Sequence, residues 1–179
     1  MPTEAKTVAK SFRINKDALE AFEQEARKQA ISLNTLVNQC LLGYSELGRY
    51  MKQMHSLTIT RQSFTELLNL LPEDKLIETG RKAGKNTPMA IVTSKHGKMN
   101  FNGLIEYLHY LSSYANLFEY SETEENGQWT ITLTHELGRK WSLFLAGYFE
   151  QAFTLIGVKT QRTVSDASVT LTCNTAGAL

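Results

Sequence analysis

The segment from Lys10 to Met54 constrains this chain more than any other, because its apolar residues outnumber the partners it can offer them. Lys10-Ser-Phe-Arg-Ile-Asn15 alternates polar and apolar residues, with Phe12 and Ile14 on one face, which predicts a short strand. Asp17-Ala-Leu-Glu20 has the form of a capping box and predicts a helix to about Ala30, with Leu19, Phe22, Ala26 and Ala30 as its stripe. Ser32 is the next cap candidate. A second helix follows with Leu33, Leu36, Val37, Cys40, Leu41, Tyr44 and Leu47, continuing towards Met54. One strand has no sheet to join, and one small helix cannot cover so wide a stripe. Two copies resolve both shortages: the strands pair antiparallel and the helices share a core.

Charge is distributed to match. The net charge is only +1, yet within residues 1–16 Lys6, Lys10, Arg13 and Lys16 stand against Glu4 alone. Residues 17–62 balance, so the remainder is net negative. The positive excess belongs to the N-terminal arm and first strand, where it would attract phosphate.

Ser11-Phe-Arg-Ile-Asn15, then Leu19 and Phe22, then Ile31-Ser-Leu-Asn-Thr-Leu-Val-Asn38, resemble the ribbon-helix-helix repressors of the Arc and MetJ type. The resemblance covers roughly residues 8–52. It implies a dimer whose two-stranded ribbon enters the major groove of double-stranded DNA. It further implies that Ser11, Arg13 and Asn15, opposite in parity to Phe12 and Ile14, read base edges. Backbone amides near Ser32, Leu33 and Asn34 would hold a phosphate at the start of helix two. Lys6 and Lys10 would add phosphate contacts. Family members usually place glycine at the end of helix one; here Gln29-Ala30 stand there.

The remainder predicts a separate α+β domain over residues 56–179, behind a DNA-binding and dimerisation module over 1–55. Leu57-Thr-Ile-Thr60 suits a strand or a connector. Ser63-Phe-Thr-Glu66 predicts a helix through Leu71, and Pro72 starts another that reaches about Lys82. Thr87-Pro88 predicts a short helix of its own. Asn102 is the expected cap of a helix to about Tyr114. Strands are expected at 117–122 and 129–134, around Asn126-Gly127, and again at 158–163 and 168–173. Between the two pairs, a helix from about Glu136 to Leu155 is apolar on most of its circumference. That gives about four antiparallel strands and several helices.

Catalytic signals are absent from the motifs. Lys82-Ala-Gly-Lys85 lacks the full phosphate-loop pattern. The four histidines show no metal spacing, so no metal or other cofactor is expected. His135, beside Glu136 and Arg139, is expected to be a hydrogen-bonded histidine at a helix start. Cys40 and Cys173 lack CxxC spacing and are expected to be buried thiols. No apolar run reaches membrane-spanning length, and the start carries no signal-peptide stretch, so a cytoplasmic protein is expected. The expectation is therefore a homodimeric transcriptional regulator, not an enzyme. Its second domain would sense a small-molecule effector or set a higher oligomeric state. Two rivals stand beside it: an antitoxin-type autorepressor, and a ligand-binding or enzymatic domain that uses the first module only to dimerise.

Overall fold

The computed structural model describes residues 7–175. The chain divides between Tyr44 and Ser45 into two compact units. The sequence places the seam near His55. It falls earlier because Leu47 and Tyr50 are buried in the core of the second unit, so the far end of helix two's apolar stripe is covered there.

The first unit has two helices, α1 (Lys16–Lys28) and α2 (Leu33–Gly43). Residues 7–15 precede α1 without forming a strand. An extended segment needs a backbone partner to complete its ladder, and this single chain offers none there. Asn15, not Asp17, is the N-cap of α1: its Oδ1 accepts from the Asp17 amide at 2.9 Å and the Ala18 amide at 3.3 Å. Asp17 instead places a carboxylate in the positive first turn. Ser32 caps α2 as expected, its Oγ accepting from the Thr35 amide at 3.0 Å. Between the helices Ala30 takes the left-handed conformation, with φ of 54°. The turn that usually uses glycine is therefore made here by a residue with a Cβ, at a conformational cost.

The second unit is an α+β fold with one four-stranded antiparallel sheet in the order β1-β2-β4-β3. A π-helical turn (Tyr44–Gly48) crosses the division, and α3 (Arg49–Gln53) follows it. Leu57–Thr60 is a connector without strand. Then come α4 (Arg61–Asn69), α5 (Glu73–His96) and α6 (Phe101–Ala115). The sheet is β1 (Glu119–Glu125), β2 (Gln128–Thr134), β3 (Thr160–Val164) and β4 (Ser168–Asn174), with α7 (Gly138–Thr154) between β2 and β3. In the central pair Ile131 faces Leu171 and Leu133 faces Val169, and all four are fully buried. The opposite face carries Thr130, Thr132, Thr134, Thr170 and Thr172. Helices α6 and α7 pack against the sheet, and Phe101 bridges Trp129 of β2 and Phe153 of α7 through its ring.

Helix α5 departs most from expectation. It runs unbroken for 24 residues through Gly80, Gly84 and Pro88, where the sequence suggests two helices and a gap. The glycines are there for contact. A Cβ on Gly80 would stand 2.1 Å from the Phe144 carbonyl oxygen, and one on Gly84 2.1 Å from that of Tyr148. Gly147 of α7 answers them, 2.2 Å from the Ile77 oxygen. The two backbones touch, so the helix propensity forgone at each glycine is offset by packing. Two caps also shift: Thr60 rather than Ser63 caps α4, and Asn100 rather than Asn102 caps α6, accepting from the Gly103 amide at 2.8 Å, while Pro72 begins α5 as expected. Cys173 is buried as expected, but Cys40 is exposed.

Candidate nucleic-acid interface

Lys6 lies outside the described residues. Lys10, Ser11 and Arg13 are exposed on the irregular segment before α1, and neither Lys10 nor Arg13 has an ion-pair partner among the described residues. Phe12 and Ile14, the alternate positions, are also exposed, at 74% and 55%. Among the described residues of the unit nothing covers this pair. Asn15 is different from its neighbours. Its carbonyl oxygen is spent on capping α1, so bidentate pairing with adenine, which needs that oxygen free, would compete with the helix start.

The start of α2 has the form an anion requires. Ser32 Oγ satisfies the Thr35 amide, and the first-turn amides of Leu33 and Asn34 have no intrahelical acceptor. No acidic side chain stands in that first turn to occupy them. Asn34 itself is exposed. Its carbonyl oxygen accepts from the Asn38 amide group at 3.0 Å, which steadies the first turn.

Part of the apolar surplus of helix two gathers in one place. Ile14, Leu19, Phe22, Leu33, Val37 and Leu41 line an open groove of about 250 Å³ in the first unit. Cys40 lines it too, which accounts for an exposed thiol on an apolar face. Only Ala26 and Leu36 are buried among the described residues of this unit.

His135 is buried, and its Nδ1 accepts from the Leu137 amide at 3.2 Å. The neutral ring therefore carries its proton on Nε2 and donates it to Ser142 Oγ, 2.9 Å away. Burial lowers the His135 pKa below its ordinary value. Beside it, Arg61 donates to Glu136 at 2.8 Å across a shallow polar pocket of about 260 Å³. Arg139 and Lys140 are committed elsewhere: Arg139 pairs with Glu73, and Lys140 donates to the carbonyls of Asn69 and Leu71 at the end of α4.

The three tyrosines of α6 divide in role. Tyr107 is buried and shares a hydrogen bond of 2.7 Å with the Tyr148 hydroxyl, and burial raises its pKa far above the usual phenol value. Tyr110 meets Lys95, which also pairs with Glu46 in the π-helical turn. Tyr114 is partly exposed and stacks on Tyr110. The Lys95 cluster joins residues far apart in sequence, and no motif announces it. Among the described residues no three His, Cys, Asp or Glu side chains converge to hold a metal, and no helix is long and apolar enough to cross a membrane. Comparison with family models, with curated protein sequences and with solved structures found no match.

Proposed function

We propose that the chain is a homodimeric, sequence-specific DNA-binding regulator of the ribbon-helix-helix kind. One observation carries the reading: the first unit leaves an apolar groove of about 250 Å³ open between its helices, with Phe12 and Ile14 exposed beside it. A second copy is the occupant that fits, because it also brings the missing backbone partner for residues 10–15. In that arrangement Ser11 and Arg13 face the major groove from the side opposite Phe12 and Ile14. The free amides at Leu33 and Asn34 receive a phosphate, and Lys6 and Lys10 add charge from the arm. Asn15 serves first as a cap and contributes to readout only through its side-chain NH2 group. The second unit acts as the sensing or oligomerising part, and the protein works in the cytoplasm.

Arg13 is the test. Arg13→Ala should cost about 1–3 kcal/mol for each bidentate hydrogen-bonded pair with a base that it removes, and should narrow the gap between operator and random DNA. Lys10→Ala should weaken binding to all sequences alike and flatten the salt dependence. Fluorescence anisotropy over a salt series separates the two. Unchanged specificity in a folded, dimeric Arg13→Ala protein would remove the groove-reading assignment. It would favour the second reading, a module that only dimerises, for which the capping duty of Asn15 is the supporting observation.

A further inference from the structure

Three elements of the second unit bring cations to a single carboxylate. Glu150 of α7 has a side chain only 15% exposed. Its Oε2 accepts from Arg81 Nη2 of α5 at 3.1 Å, and its Oε1 accepts from Arg162 Nη1 of β3 at 2.5 Å. Each guanidinium has five N–H donors and spends one of them here. Both carboxylate oxygens are thereby occupied, and two arginines share one negative charge.

An open cavity of about 420 Å³ adjoins this bridge, lined by Arg81, Glu150, Gln151, Thr154, Lys159 and Thr160. Lys159 is exposed and has no ion-pair partner among the described residues. The Thr154 hydroxyl is already used, donating to the Glu150 carbonyl oxygen at 2.8 Å. Besides the Glu150 carboxylate, already bonded through both oxygens, the lining offers a guanidinium, an ammonium, the Gln151 amide and the Thr160 hydroxyl. With Arg162 behind the bridge, three cations stand against one carboxylate.

We propose that this cavity binds the phosphate group of a small molecule. Such a group carries two charges and several acceptor oxygens, which complements the Arg81 guanidinium and the unpaired Lys159 ammonium. Arginine's planar fork suits phosphate oxygens. Glu150 acts as a positioning residue, holding both guanidiniums in place so that less side-chain freedom is given up on binding. The volume falls in the range of small-molecule sites. The cavity lies within the second unit alone and is independent of the DNA-binding reading.

Isothermal titration of the full chain with inorganic phosphate, and separately with pyrophosphate, tests it at low ionic strength. One saturable site per chain is expected, weakening as salt rises. Arg81→Ala and Lys159→Ala should each weaken binding roughly tenfold or more, with thermal unfolding retained. Arg13→Ala should leave the titration unchanged, which separates this site from the N-terminal arm. The proposal is overturned by the lack of saturable binding at millimolar anion. It is equally overturned by undiminished affinity in both folded variants. Displacement of phosphate by duplex DNA in the Arg13→Ala background would overturn the small-molecule assignment.

Discussion

The two units of this chain solve the same problem to different degrees. The second buries a continuous core that runs from Leu47 to Cys173 and includes the fully covered Phe149, Phe153, Leu104 and Leu171. The first buries Ala26 and Leu36 among its described residues, and keeps an apolar groove open. Apolar area in water costs about 25 cal/mol per Å². A unit that keeps so much exposed is incomplete by itself, whereas a unit whose helices meet backbone to backbone has no room left. On the proposed reading, the first unit's open groove is the place for a second copy, while the second unit already holds a core of its own, although Leu57 and Leu70 stay exposed on it.

The tight side of the contrast breaks most easily at the α5–α7 contact. Gly84→Ala places a Cβ 2.1 Å from the Tyr148 oxygen, and backbone cannot step aside as a flexible side chain can. We expect a loss of about 3 kcal/mol, read as a lowered urea midpoint, even though alanine is the better helix former by about 1 kcal/mol. An unchanged or raised midpoint would mean that the helices are not in backbone contact.

That same helix pair marks where the sequence is hardest to read. Gly80, Gly84 and Pro88 look like breaks, because each is costly within an isolated helix. Only the facing carbonyls of α7, some sixty residues away, make the glycines fitting, and nothing local to α5 reveals them. The sheet is legible because its signal is local: Trp129, Ile131 and Leu133 alternate, as do Val169, Leu171 and Cys173. The candidate DNA residues occupy one short segment and one turn, and the strand expected over 10–15 is not formed, because the described residues offer it no backbone partner. The Arg81–Glu150–Arg162 bridge is not legible, being assembled from α5, α7 and β3.

A smaller effect probes the second unit through pH. The fold lowers the His135 pKa below its ordinary value of 6.5, because burial disfavours the charged ring and Nδ1 is already an acceptor. The unfolded chain thus takes up a proton that the folded chain resists. Stability contributed here is complete above about pH 6.5 and is lost as pH falls through the lowered folded value. Glu46, whose pKa is lowered chiefly by its hydrogen bond from Lys95, acts the same way from about pH 4.5 downward, which separates the two windows. Unfolding midpoints between pH 7 and pH 5 should fall in the wild type and fall less in His135→Gln. Equal slopes in both proteins would show that His135 is not the group responsible.

The smallest expected effect sharpens the first unit. Ala30 holds φ at 54°, where a Cβ is strained and glycine is not. Ala30→Gly should stabilise the α1–α2 turn by about 1 kcal/mol, partly offset by the greater freedom of glycine in the unfolded chain. Hydrogen exchange at the amides of Gln29, Ala30 and Ile31 would show it as slowed opening, and faster exchange would contradict the strained turn.

Everything proposed for the first unit depends on its completion by a second copy. Sedimentation equilibrium of the full chain from nanomolar to micromolar concentration tests that directly, with Ile14→Asp as the matched variant. We expect a dimer for the wild type, and for Ile14→Asp a folded monomer whose second unit melts as before, because the charge enters only the groove. A wild-type chain that stays monomeric and folded at micromolar concentration would contradict completion by a second copy.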